Sequence, residues 1–327
     1  MRLAIGLLGI AAFAQDPPAA LEAARDKVLA ATSHLPTYVC TETVDRSYYL
    51  RKNDTPSSCE KIALDRKRGQ DRVQLEKTDR LRVAVAISQG HEIYSWTGVA
   101  PHAHGVEDIL NGGPIGTGPF AAHLLDIFTN SAARFRLLSE PADRLDFGFR
   151  VPLDASHYVV YGGGKWLPTG YGGSLRIGGD SLDILRLELE TDALPPETGI
   201  CEERTVLEFL EANGLPSESR AHLIMRDGTE TDRVTTISDC REASTLPPPT
   251  SVPQGEPVPK GLRFDLRLDS AIDSDLAAAG DAISATTDAG AKVTGRIVQM
   301  AHSGPTFFIS VAFDTLDQKG VLSPFYA

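Results

Sequence analysis

Along residues 18–35, Leu21, Ala24, Val28 and Ala31 recur at helical spacing, with Glu22, Arg25, Asp26 and Lys27 on the other faces. This pattern predicts an amphipathic helix stopped by Pro36. From Thr37 onward the pattern changes to short runs rich in β-branched and aromatic residues, at 38–50, 60–67, 72–76, 81–87 and 92–96. With turns at Gly69 and Gln89-Gly90, these runs predict a meander of antiparallel strands. Residues 97–119 are rich in Gly and Pro and have no period. They lead into Phe120, Leu124, Ile127 and Phe128, which share one helical face and predict a second helix laid on the sheet. Further strands are predicted at 134–138, 145–151, 157–161, 173–177, 184–190, 201–209, 222–226 and 233–237. The fold class expected through residue 242 is α+β, mostly β, with one large antiparallel sheet and two helices.

Residues 243–261 contain six prolines, at 247, 248, 249, 253, 257 and 259. This composition reads as a linker, and in polyproline geometry its residues from Pro247 to Pro259 span about 40 Å. Beyond it, Leu262, Phe264, Leu266 and Leu268 alternate with Arg263, Asp265, Arg267 and Asp269, and Phe307, Ile309, Val311 and Phe313 alternate again. Residues 262–327 therefore read as a small all-β domain, near the size at which a single core suffices.

The N-terminus has its own signature. Met1-Arg2 precedes an uncharged apolar run to Phe13, and Ala12-Phe13-Ala14 offers small residues for signal peptidase. The expectation is a signal peptide at 1–14, a mature chain from Gln15 with its sheet domain at 15–242, and export to the periplasm or the extracellular space. No cysteine follows the cleavage site to carry a lipid anchor. Cys40, Cys59, Cys201 and Cys240 then read as two disulfides. Of the three pairings, Cys40–Cys59 with Cys201–Cys240 is preferred, because each pair is close in sequence and brackets neighbouring strands. Each would stabilise by about 3–4 kcal/mol.

Composition narrows the function classes. The 327 residues are 42% hydrophobic and 23% charged, with a formal net charge of -12, so a nucleic-acid partner is not expected. No apolar run reaches the roughly 18 residues of a spanning helix, so no transmembrane segment is expected in the mature chain. The sequence contains no nucleophile elbow, zincin, P-loop, dinucleotide or EF-hand motif, and the cysteines lack metal-ligand spacing.

The best candidate metal ligands are His102, His104, Asp108, His123 and Asp126, of which the first two read more simply as loop-surface histidines. His91-Glu92 reads as a solvated hairpin pair, Asp180 and Asp183 as a hairpin turn, and Arg66-Lys67-Arg68 as a hairpin tip. Trp96, Trp166, Tyr48, Tyr49, Tyr158 and Tyr161 are candidates to line a ligand pocket, although aromatics on strands usually belong to the core. No catalytic residue, metal or cofactor is assigned.

The strings Leu35-Pro36-Thr37-Tyr38-Val39-Cys40-Thr41-Glu42-Thr43, Gly90-His91-Glu92-Ile93-Tyr94, Asp183-Ile184-Leu185-Arg186-Leu187-Glu188 and Ser238-Asp239-Cys240-Arg241-Glu242 resemble uncharacterised secreted proteins of environmental bacteria. The order of helix, strands, helix and strands, with its Leu-Arg-Leu-Glu hairpin, is similar to the half-barrel of LolA-type periplasmic lipoprotein carriers. That likeness implies a curved sheet enclosing acyl chains, with Phe120, Leu124, Ile127 and Phe128 as ligand-wall candidates. The same residues would equally serve a plain core. The segments Ile272-Asp273-Ser274-Asp275-Leu276, Gly290-Ala291-Lys292-Val293-Thr294-Gly295 and Phe313-Asp314-Thr315-Leu316 resemble the β-domain of TrbI-type conjugation and secretion channel proteins.

Three readings follow. The first is an exported, non-catalytic protein holding an apolar or lipid ligand in its half-barrel. The second is a structural or interaction protein of the cell envelope that meets another envelope protein. The third is a hydrolase with an unrecognised site.

Overall fold

The computed structural model describes residues 17–33, 37–52, 58–70, 72–88, 91–99, 118, 120, 122–162, 164–192, 194–210, 214–243 and 255–325. The expected signal peptide at 1–14, His102, His104, Asp108 and most of the proline-rich stretch lie outside them.

Long alternating runs build the centre of the sheet. β1 (Tyr38–Arg51) lies between β2 (Val73–Ser88) and β12 (Glu230–Glu242), antiparallel to both. From β12 the order continues through β11 (Pro216–Met225), β10 (Ile200–Phe209), β9 (Ile184–Thr191), β8 (Tyr171–Gly178) and β5 (Arg144–Val151) to the edge strand β4 (Arg134–Ser139). At its other end β2 pairs with β3 (His91–Trp96) over one stretch and with β15 (Lys292–Ser303) over another. From β15 the sheet extends to β14 (Ala282–Thr287) and β13 (Leu266–Leu268) on one side. On the other side lie β16 (Thr306–Gln318) and β17 (Val321–Pro324). A separate hairpin joins β6 (Val159–Gly162) to β7 (Lys165–Pro168). The described residues thus form a mostly β, antiparallel sheet of 15 strands that does not close; the mostly β, antiparallel class is the expected one, and the strands after residue 262 belong to this same sheet.

The described residues contain three α-helices, one more than expected. α1 (Pro17–Ser33) buries Ala20 and Ala24, and α3 (Ala122–Thr129) buries Leu124, Ile127 and Phe128. Both helices cover the sheet face formed by β5, β8, β9 and β10, which we call the inner face. The additional helix, α2 (Cys59–Lys67), corrects the strand expected at 60–67. Ser58 caps it by accepting from the Lys61 N–H at 3.3 Å, and Glu60 and Arg66-Lys67 sit at the ends that suit the helix dipole. Ile62 is its buried residue, so a single inward side chain decides the packing where a short strand-like run was expected. None of the described helices is long and apolar enough to cross a membrane.

The disulfides correct the expected pairing: Cys40 joins Cys240, and Cys59 joins Cys201. Proximity in sequence misleads because β1 and β12 are neighbours despite a separation of 200 residues. Opposite Cys40, β12 carries an extra residue, and Asp239 takes a left-handed φ of 52°, which Asp tolerates. The second bridge fastens α2 to the start of β10.

After the proline-rich stretch the chain returns to the sheet. Val258 is buried with Val293 and Leu316, and its N–H donates to the Pro324 carbonyl at 2.9 Å. Ala279 exchanges backbone hydrogen bonds with Arg80 and Arg82, and the Arg82 guanidinium meets both oxygens of Asp281 at 2.6 and 2.7 Å. Gly280 makes this approach feasible: its φ is +102°, and a Cβ there would fall 2.1 Å from the Arg82 carbonyl oxygen.

Candidate ligand-binding site on the inner face

A single cross-strand row shows how the inner face changes along the sheet. It runs from Arg46 to Arg233, Ala221, Thr205, Leu189, Gly173, Phe149 and Phe135. One end is charged and the other aromatic.

The aromatic end is filled by the protein's own side chains. Phe128 of α3 stacks on Phe135 at 6.1 Å between ring centroids, and Phe149 meets Tyr171 edge-on at 6.1 Å. Leu124, Ile127 and Phe128 pack in this core with α1, whereas Phe120 belongs to a neighbouring cluster with Val83, Val85, Tyr94, Leu215 and Ile237. The four ligand-wall candidates are therefore buried, and they divide between two packed clusters.

Asp126, on the more polar side of α3, accepts from the Tyr171 hydroxyl at 2.6 Å and lies 2.8 Å from His157 Nδ1. The His123 ring lies against Tyr158 at 5.4 Å. Among the described residues no group of three or more His, Cys, Asp or Glu side chains is placed to hold a metal ion. Asp183 ends at the expected β8–β9 turn, where it pairs with Lys27 of α1 at 2.7 Å. Arg66 and Lys67 form the last turn of α2. Tyr161 and Trp166 face each other across the β6–β7 hairpin at 5.1 Å and are exposed.

The charged end is unusual in its unmet polar groups. Glu42 is fully buried, and neither of its carboxylate oxygens has a hydrogen-bond partner. Arg233 is 2% exposed, with no partner for Nε and no ion pair among the described residues. A buried charge without a partner costs several kcal/mol, so such groups stand out from ordinary core chemistry. Burial, reinforced by the nearby Glu92 carboxylate, pushes the Glu42 carboxyl up to about 8, with Arg233 pulling it weakly back. Burial also lowers the Arg233 pKa, against the pull of Glu203, Tyr158, Glu42 and Tyr94.

Glu92 behaves differently. It accepts from Tyr94 Oη at 2.9 Å, from the Gly118 N–H at 2.6 Å and from the Phe120 N–H at 3.2 Å. Instead of a solvated hairpin group, Glu92 is the clamp that fixes the chain entering α3. The Tyr94 and Tyr158 hydroxyls are held neutral by burial, and Glu203 is raised for the same reason.

Directly opposite Arg233 in register stands Arg46, another buried guanidinium. Asp79 compensates it through a two-pronged contact at 2.6 and 2.8 Å and also accepts from Tyr48 Oη at 3.2 Å. Arg46 and Asp79 line two clefts, of about 550 and 190 Å3, where β15 and the chain near Asp275 and Ala279 meet β2. The clefts also carry Lys77, Met300, His302 and Phe308. The unpartnered Arg233 thus lies one cross-strand step from an open rim.

Sequence patterning missed Glu42, Arg46 and Arg233. In Cys40-Thr41-Glu42-Thr43-Val44-Asp45-Arg46 polar residues occupy both faces, so alternation does not mark the inward one. The usable signal is parity: Glu42 and Arg46 fall in phase with Cys40 and Val44.

No protein-family profile matches the chain, and no curated protein matches it in sequence. Among solved structures, the chain is similar to a LolA superfamily protein from Nitrosomonas europaea, with 10% identity and a TM-score of 0.31. The alignment covers 72% of this chain and 96% of that one.

Proposed function

We propose that this chain is an exported, non-catalytic binding protein whose half-barrel holds an amphipathic lipid-like ligand, its polar end met by Arg233 and Glu42. The observation that carries the reading is the pair of buried, unpartnered ionisable side chains on the inner face. With Glu42 protonated and Arg233 charged, the site offers hydrogen-bond donors and a positive charge. That combination suits a carboxylate or phosphate headgroup. The rim clefts beside Arg46 give the ligand its way in. The two disulfides fit an oxidising compartment, in keeping with export.

Native mass spectrometry of the mature protein from an oxidising compartment tests the reading. The expected result is a reproducible extra mass of lipid size, released by organic solvent. Arg233→Met should abolish that mass while leaving the fold intact, because an apolar side chain replaces a buried charge that makes no ion pair among the described residues, and the Glu42 and Glu203 carboxyls it pulls down are pushed further toward their neutral forms without it. A bare mass in the wild type, unchanged after incubation with fatty acids and phospholipids, would sink the proposal. Charging Phe128 is not a clean test, since that side chain belongs to the packed core.

A second reading, a structural or interaction protein of the envelope, draws on the filled aromatic half, where Leu124, Ile127 and Phe128 act as core. In it the strands after residue 262, which resemble the TrbI-type β-domain, would provide the docking module.

A further inference from the structure

The far end of the sheet presents a backbone edge that is unusually bare. From Thr306 to Phe313, β16 pairs with β15 along one side only. Its other side is first taken where the Phe325 N–H donates to the Asp314 carbonyl and β17 begins to pair at Thr315. Phe308, Ile309 and Val311 are 54%, 37% and 39% exposed. The stretch Thr306-Phe307-Phe308-Ile309-Ser310-Val311-Ala312-Phe313 contains no charge, and Pro305 precedes it.

Open edges are normally blunted by charge, proline or a covering element. Three other outer strands of this sheet follow that rule: β4 carries Arg134 and Arg136, β13 carries Arg267 between Asp265 and Asp269, and β17 ends in Pro324. β16 differs in leaving a long uncharged stretch of edge uncovered; β17, also uncharged, has its outer side taken by the Gly255 and Val258 N–H groups, which donate to the Leu322 and Pro324 carbonyls.

We infer that this edge is a homodimer interface, in which β16 of one copy adds antiparallel to β16 of a second copy of the same chain. Three observations select that occupant. First, a two-fold axis at Ser310 falls inside the free stretch and pairs Phe307–Phe313 with itself, stopping short of Asp314, whose carbonyl is already taken by the Phe325 N–H. Second, that register is self-complementary. Phe307 meets Phe313 and Ile309 meets Val311 on one face, while Phe308 meets Ala312 on the other, giving the apolar cross-strand pairs that stabilise sheets. A one-residue slip would break this match. Third, the chain carries a net charge of -12, so contact through an acidic surface would add close like-charge pairs to the repulsion between two copies, whereas an uncharged surface adds none. The β16 edge is such an uncharged surface, and its lack of charge gives a basic partner nothing to read. Dimerisation would continue the sheet from one copy into the next and would leave the inner face of each untouched.

Analytical ultracentrifugation of the full mature chain tests the inference. The expected result is a reversible dimer that Ile309→Lys and Val311→Lys each convert to monomer with an unchanged far-ultraviolet circular dichroism spectrum. Ser310→Cys should form a reducible dimer whose cross-linked peptide joins position 310 to position 310. A wild-type chain that stays monomeric up to about 100 μM overturns the inference. So does a dimer that persists in both lysine variants, or one in which Cys at 310 fails to cross-link, because the contact would then lie elsewhere.

Discussion

Replacing Cys40 and Cys240 together by alanine is expected to lower the unfolding free energy by about 4–5 kcal/mol, close to the upper end for a single disulfide. The size follows from topology. The bridge ties residues 200 apart in sequence, so in the chain-entropy picture it removes more freedom from the unfolded chain than a local bridge would. Cys40 is also 1% exposed in the cluster with Val83, Val85 and Ile87, so its loss leaves a small void as well. The bridge between Cys59 and Cys201 spans 142 residues and should contribute nearly as much through the unfolded state, since the dependence on length is logarithmic. Urea denaturation of the two double variants measures both effects. A loss below about 1 kcal/mol for Cys40→Ala/Cys240→Ala, or a non-reduced peptide joining Cys40 to Cys59, would show that β1 and β12 are not tied as described.

This disulfide also marks how far local pattern reaches. Strand identity along 38–50 and 184–190 was legible because these short runs are rich in β-branched, aromatic and leucine side chains, even where polar residues occupy both faces. The stripe of α3 was legible because Leu124, Ile127 and Phe128 repeat at helical spacing. The partnership of β1 with β12 was not, because it depends on which strand closes the order after the ten strands from β2 to β11. The helix at Cys59–Lys67 was missed because it buries only Ile62 and therefore has almost no periodic signal; its capping residue and its end charges were the readable clues.

The candidate site was the least legible part. Glu42, Arg46 and Arg233 point inward, where patterning assigns apolar residues, and a local rule fails there as it commonly does at a functional position. Phe120, Leu124, Ile127 and Phe128 were readable as buried, but burial alone does not separate a ligand wall from a core.

Glu42→Gln is expected to stabilise the protein increasingly as pH rises from about 4.5 to 8, by on the order of a few kcal/mol at the alkaline end. The sign comes from proton counting. In the unfolded chain Glu42 releases its proton near the ordinary value of 4.5, whereas in the fold it keeps the proton up to about 8. Between those values the folded state binds more protons than the unfolded state, so wild-type stability falls as pH rises. Below about 4.5 both states are protonated and the penalty vanishes. Glutamine keeps the shape of the neutral carboxyl and does not titrate in either state, so the variant escapes the penalty. Glu92 and Glu203 are also raised by burial, and they share the surroundings of Arg233, Tyr94 and Tyr158. The wild-type profile is therefore a composite, and the difference between wild type and variant isolates Glu42. Urea denaturation at intervals from pH 4 to pH 8 gives that difference directly. Curves that stay parallel would mean Glu42 is ionised in the fold, and the site would then present a neutral Glu–Arg pair to a ligand. Diverging curves would leave Arg233 as an uncompensated cation beside a protonated carboxyl, the electrostatic state that favours an anionic headgroup below pH 8 and releases it above.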